Sequence, residues 1–150
     1  MEVVIFTGVQ ASGKSTFYRE RFFATHVRIN LDMLRTRHRE SLLLRACIEG
    51  QQRFVVDNTN PMAAERARYI VPAREAGFRI MGDVFPPDVG GSIRRNATRP
   101  ERERVPPAVI GGTARRLEMP QCDEGNDALS IVRIDETGQF IMEKYPLTEA

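Results

Sequence analysis

The chain has 150 residues, with 22 Lys and Arg against 20 Asp and Glu, a net charge of +2. That length suits one domain, residues 1–150, with a sizeable core, and 41% hydrophobic with 28% charged residues is ordinary for a soluble globular protein. The even charge balance does not by itself imply a polyanionic partner, no apolar run reaches the roughly 18 residues of a membrane helix, and the first residues lack the basic-then-apolar order of a signal peptide.

The predicted elements alternate strand and helix, the pattern of an α/β sheet covered by helices. Glu2 to Thr7 is an apolar, β-branched run that reads as a buried strand. Gly8-Val9-Gln10-Ala11-Ser12-Gly13-Lys14-Ser15 follows, the pattern G-x-x-x-x-G-K-S, and a helix from Thr16 to Phe23 comes next. Strand, loop and helix in that order make a phosphate-binding loop. Backbone N–H groups from Gly8 through Ala11, Ser12, Gly13 and Thr16 turn inward, and the helix N-terminus adds positive charge. Lys14 reaches the β- and γ-phosphates and the Ser15 hydroxyl ligates Mg²⁺. The expected ligands are ATP or another NTP, with Mg²⁺.

A second strand is expected at Val27 to Asn30, then one helix from about Asp32 to Glu49, stopped at Gly50. Ligands bind beyond the carboxyl ends of the strands in an open parallel sheet. Asp32 therefore stands where a carboxylate can take the proton of an attacking hydroxyl. Arg35, three residues on, projects from the same helix face and can clamp an acceptor phosphate. The plainer alternative makes Asp32 an N-cap or first-turn acid.

Arg53 to Val56 reads as a third strand, ending in Asp57-Asn58-Thr59-Asn60. Pro61 opens a helix that runs to Ala76 and is capped by Gly77, with a kink or break at Pro72. Arg79 to Phe85 is a fourth strand, and Pro86-Pro87 opens a helix carrying Arg94 and Arg95. Arg94, Arg95, Arg99, Arg102 and Arg104 crowd into eleven residues. Their guanidinium forks suit phosphate oxygens and make this segment a candidate lid; a solvated charged face is the alternative. A loop at 99–107, a helix at about Ala108 to Leu117 and a C-terminal β-hairpin from Leu129 to Lys144 complete the chain. Cys47 and Cys122 have no metal-like spacing, and Cys47 reads as a reduced core residue, which points to the cytoplasm.

Three blocks give the chain a resemblance to the kinase domain of the 5′-polynucleotide kinases, the end-healing and DNA-repair enzymes. They are Gly8 to Phe17; Asn30 to Arg35; and Asp57-Asn58-Thr59-Asn60-Pro61 with its continuation to Gly77. A weaker fourth is Arg95-Asn96-Ala97-Thr98-Arg99. The resemblance implies a P-loop NTPase-like parallel sheet with a kinase lid and transfer of the γ-phosphate of ATP to a 5′-OH end of DNA or RNA. It implies Asp32 as general base and Arg35 on the acceptor's 3′ phosphate. Asp57 and Asn58 fall near metal and acceptor, with Ser15 and Asp57 at the metal. Arg99 is the lid arginine, assisted by Arg95, although the Glu101-Arg102-Glu103-Arg104 run departs from the family's lid and leaves the choice among Arg95, Arg99 and Arg102 open.

Two other readings remain. One is a small-molecule kinase acting on a nucleoside, sugar or antibiotic. The other is an ATP-switched interaction module, disfavoured by the Asp32–Arg35 pair. No D-x-D-x-T phosphatase motif or ligase lysine motif is visible, so end healing here implies phosphorylation alone or a separate phosphatase or ligase partner. Oligomeric state is not legible.

Overall fold

The computed structural model describes residues 1–145; the last five positions of the expected domain lie outside the described residues. Six strands form one sheet: β1 (Glu2–Thr7), β2 (Val27–Ile29), β3 (Phe54–Val56), β4 (Arg79–Val84), β5 (Ala128–Ile134) and β6 (Phe140–Lys144). Their spatial order is β2-β3-β1-β4-β5-β6. The first five are mutually parallel, and β6 turns back antiparallel on β5. The C-terminal hairpin is thus no separate unit but the edge of the main sheet.

Alternation along β1 builds two cores. Val3 and Ile5 face one side, packed with Cys47, Tyr69, Ile70 and Ala73. Val4 and Phe6 face the other, packed with Phe17, Tyr18 and Phe85. Helices α3 (Arg37–Glu49) and α4 (Ala63–Glu75) cover the first side, and α1 (Lys14–Arg21) covers the second. Phe17 anchors α1 through rings at 5.7 Å (Phe6), 5.6 Å (Phe85) and 5.1 Å (Phe140).

Both neighbours of β1, β3 and β4, are sequence-distant, and the chain reverses its winding direction there. The crevice beyond the carboxyl ends of β1 and β3 is where such sheets bind ligands. Gly8 N–H donates to the Thr59 carbonyl at 3.0 Å, and Asn60 Nδ2 donates to the Phe6 carbonyl at 2.9 Å. These bonds tie the loop that leaves β3 to the end of β1 and to the loop that follows it.

Several expected boundaries shift, and α1 runs from Lys14 to Arg21 rather than from Thr16 to Phe23. The helix foreseen from Asp32 to Glu49 is two helices, α2 (Leu31–Leu34) and α3. Asn30 caps α2 by accepting from Met33 N–H, and Arg35 ends it at φ 76°. Thr36 then caps α3 by accepting from Arg39 N–H. Two side-chain caps six residues apart make a break that apolar periodicity does not reveal. Helix α4 starts at Ala63 rather than Pro61, and its first N–H faces the Glu118 carboxylate at 3.3 Å. It runs through Pro72, where only the last turn loses a bond. Helix α5 (Val89–Ala97) starts after the Pro pair, because the Asp88 side chain caps it at Gly91 N–H. A turn of 3₁₀ helix at Glu101–Glu103 lies between α5 and α6 (Pro107–Arg116). Cys47 is buried and Cys122 exposed, both free. Among the described residues no helix is long and apolar enough to cross a membrane.

Candidate active site

A cleft of about 280 Å³ opens beyond β1 and β3. Its floor is the loop between β1 and α1. Ala11 takes φ 57° and Gly13 φ 95°, the left-handed turns that curl this backbone inward. Gln10, Ala11, Ser12, Lys14 and Ser15 line the cleft; Thr16 is exposed outside it, bonded to Arg19. Lys14 lies folded into the loop. Its Nζ donates to the carbonyls of Val9 at 2.5 Å and Gly8 at 3.0 Å and to Ser12 Oγ at 3.3 Å. Burial lowers its pKa to about 8; Asp57 and Asp32 push it back up, and Arg99 presses it down. At neutral pH it is a buried cation at the bottom of the cleft.

Beside it, the Ser15 hydroxyl donates to Asp57 Oδ2 at 3.0 Å. Asp57 follows β3 directly, with its side chain 2% exposed. Asn58 accepts from Leu31 N–H at 2.9 Å and donates to Glu40 at 3.1 Å, so it holds the start of α2. Asn30 Nδ2 donates to the Asp57 carbonyl from the other side. Between these supports α2 carries Asp32 into the cleft wall with its side chain exposed.

The arginines sort by position. Arg99 lines the cleft. Arg95 does not; its Nε donates to the Ala11 carbonyl at 2.7 Å, bracing the strained turn of the loop. Burial, with the charges of Arg94 and Arg99, lowers its pKa. Arg104 Nε binds the Arg99 carbonyl at 2.6 Å. Asn96 staples the base of this segment by bonding both the carbonyl and the N–H of Val105. Arg35 is exposed and outside the cleft lining, whereas Arg37 lines it.

Several site residues escaped the sequence reading. Arg37 is held by Glu40 at 2.8 Å and Tyr69 at 3.2 Å. Glu40, 1% exposed, also accepts from the Tyr69 hydroxyl at 3.0 Å. Gln10 reaches Thr113 of α6 at 3.1 Å, and its Oε1 is buried without a partner. Arg28 bonds both Ser15 and Asp57. A lone arginine inside the apolar triplet Val-Arg-Ile was the available signal for Arg28.

The donor set of Ser15 and Asp57 fits Mg²⁺: hard oxygens, one of them a carboxylate, and no thiolate or imidazole. Among the described residues no cluster of three or more His, Cys, Asp or Glu side chains could hold a metal by itself. Mg²⁺ in phosphoryl-transfer sites leans on substrate phosphates and water for its other ligands.

A family model described as an AAA domain matches residues 36–120. The bifunctional polynucleotide phosphatase/kinase of Schizosaccharomyces pombe is 28% identical over 131 residues, covering 83% of this chain. The chain spans only 31% of that relative. This agrees with the resemblance carried by the sequence blocks. Among solved structures, Kti12 of Chaetomium thermophilum, in complex with ADP-AlF3, superposes at TM-score 0.66 with 16% identity, covering 91% of this chain and 92% of its own. A gluconokinase from Sinorhizobium meliloti 1021 superposes at 0.64 with 16% identity, covering 90% and 83%. The fold is that of the P-loop kinases, and with more than half of its length inside that model the chain belongs to the AAA-domain family.

Proposed function

We propose that the protein is an ATP-dependent phosphotransferase whose acceptor is a hydroxyl, with the 5′-OH end of a nucleic acid as the favoured substrate. The observation that carries the reading is the convergence of Lys14, Ser15, Asp57, Asp32 and Arg99 on one cleft. Loop N–H groups and Lys14 would hold the β- and γ-phosphates, and Ser15 and Asp57 would hold Mg²⁺, which would offset phosphate charge when bound. Asp32 accepts the acceptor's hydroxyl proton while that oxygen bonds to the γ-phosphorus. The bond to the β–γ bridging oxygen breaks and ADP departs. Arg99 stabilises charge on the transferring phosphoryl oxygens.

The polynucleotide acceptor is supported by the Schizosaccharomyces pombe similarity and by the Asp57-to-Pro61 block. In this reading Arg37, rather than Arg35, is the arginine placed to meet the acceptor. One observation favours a small-molecule acceptor as the second reading: Glu65 and Glu103 also line the cleft, and both repel a phosphate backbone. We read residues 1–150 as a single domain, since one sheet collects every strand of the described chain, and the free cysteines suit a reducing, cytoplasmic setting.

The test is incubation with γ-labelled ATP, Mg²⁺ and a panel of 5′-OH DNA and RNA oligonucleotides, nucleosides and sugars. Label on oligonucleotide ends is the expected result. Label on a sugar or nucleoside alone moves the assignment to the second reading.

A further inference from the structure

We infer that Glu40 is the positioning residue of the acceptor side of the cleft: one buried carboxylate holds Arg37 directly and the start of the Asp32 helix through Asn58, so guanidinium and base are set together. The inference rests on the proposed transfer to an acceptor hydroxyl and names the residue that organises that half of the site.

Glu40 lies in the first turn of α3 and is 1% exposed. A carboxylate is stable at that depth only where donors surround it. Its Oε1 accepts from Arg37 Nη1 at 2.8 Å and from the Tyr69 hydroxyl at 3.0 Å, and its Oε2 accepts from Asn58 Nδ2 at 3.1 Å. Arg68 Nη1 stands 4.0 Å away. The Tyr69 oxygen accepts in turn from Arg37 and Asn58, each at 3.2 Å. This closed network joins α3, α4 and the loop after β3.

Two arms lead from it to the cleft. With its amide nitrogen on Glu40, Asn58 turns Oδ1 to Leu31 N–H at 2.9 Å, and Asp32 is the next residue of α2. Arg37 is tied through Nη1. Among the described residues its Nε and Nη2 make no hydrogen bond, which leaves a two-nitrogen edge for oxygens of an acceptor. Glu65 and Glu103 line the same cleft and draw a loose guanidinium toward themselves. The tether at Nη1 opposes that pull.

Glu40→Gln separates the arms, because an amide has one acceptor and one donor end. With its oxygen toward Arg37 and Tyr69, its NH₂ meets Asn58 Nδ2, donor against donor. With its oxygen toward Asn58, Arg37 loses its acceptor. Turning Asn58 over as well sets its NH₂ against Leu31 N–H. No orientation keeps both arms.

The experiment measures steady-state kinetics with γ-labelled ATP, Mg²⁺ and a 5′-OH DNA oligonucleotide on wild type, Glu40→Gln, Arg37→Ala and the double variant, with thermal melts of each. Glu40→Gln should lower kcat/KM for the oligonucleotide about tenfold or more while leaving KM for ATP near wild type. The double variant should lose little beyond Arg37→Ala, since the amide is then free to serve Asn58. A merely structural role predicts a lower melting temperature with wild-type kcat/KM for the oligonucleotide. That result, or losses that multiply in the double variant, overturns the inference alone. No label from wild type overturns the polynucleotide reading and the inference with it. Should Glu40→Gln fail to fold, Tyr69→Phe decides, because it keeps the ring in the core and removes one bond to Glu40. It should lower kcat/KM for the oligonucleotide about two- to tenfold at unchanged KM for ATP, and wild-type values for both contradict the inference.

Discussion

The Ser15 hydroxyl meets the Asp57 carboxylate at 3.0 Å, joining the first turn of α1 to the end of β3. Among the described residues no group of three or more His, Cys, Asp or Glu side chains could hold the cation in their place. Asp57→Asn should therefore weaken metal binding in the presence of nucleotide by about 10- to 100-fold, the range seen when groups around a metal are neutralised. Ser15→Ala should do the same. Calorimetry with Mn²⁺ and a non-hydrolysable ATP analogue measures this, and unchanged affinity in both variants removes the metal from these residues.

Asp32 is exposed, and Asn30 rather than Asp32 caps α2. Asp32→Asn should therefore leave the melting temperature within a degree or so of wild type. It should lower turnover by about 10²- to 10⁴-fold, as loss of a base does, with little change in ATP affinity. A stable variant with full turnover assigns the proton transfer to another group.

Arg95 and Arg99 lie four residues apart and should fail differently. Arg99→Ala should reduce turnover while leaving stability nearly intact, and Arg99→Lys should rescue it in part, because lysine lacks the planar fork. Arg95→Ala removes the bond to the Ala11 carbonyl and should raise the dissociation constant for ATP and lower the melting temperature. Steady-state kinetics with thermal melts on both variants separates the two roles; identical effects contradict the division.

Much of this was legible in the sequence because it is local. The Gly8-to-Ser15 loop, the β-branched strands and the polar residues at strand ends each announce themselves within a few positions. The break at Arg35 was not legible, because Asn30 and Thr36 each start a helix through a side-chain cap, and Arg35 ends the first at positive φ within an unbroken apolar pattern. The roles of Arg28, Arg37 and Glu40 were hidden for another reason. Each acts through a partner on a different element, and only the sheet order brings β2 beside β3 and α3 beside α4. The resemblance favoured Arg99 as the lid arginine but left the choice among Arg95, Arg99 and Arg102 open; the Arg95 bond to the Ala11 carbonyl and the Asn96 staple separate Arg95 from Arg99.

Asp83 on β4 lies in register with Phe6 and Ser130, with Oδ2 buried and unpartnered. Burial raises its pKa from 3.8 to about 7, helped by Glu2 and opposed by Arg21. The fold thus holds this proton to a higher pH than the unfolded chain does. Stability is greatest below pH 4 with respect to this group and is lost as pH rises toward 7, a loss on the order of 4 kcal/mol. Asp83→Asn should flatten that slope and stabilise the protein at pH 8. Denaturant melts of both proteins from pH 4 to 8 check it, and parallel curves contradict it.

The account stands most directly on where the γ-phosphate goes. Wild type and Asp32→Asn should be given γ-labelled ATP, Mg²⁺ and one oligonucleotide in two forms, with a free 5′-OH and with that hydroxyl already phosphorylated. The account predicts label on the 5′-OH form only, made by wild type and nearly lost in Asp32→Asn. Release of labelled inorganic phosphate with no labelled oligonucleotide, or equal labelling of both forms, contradicts it.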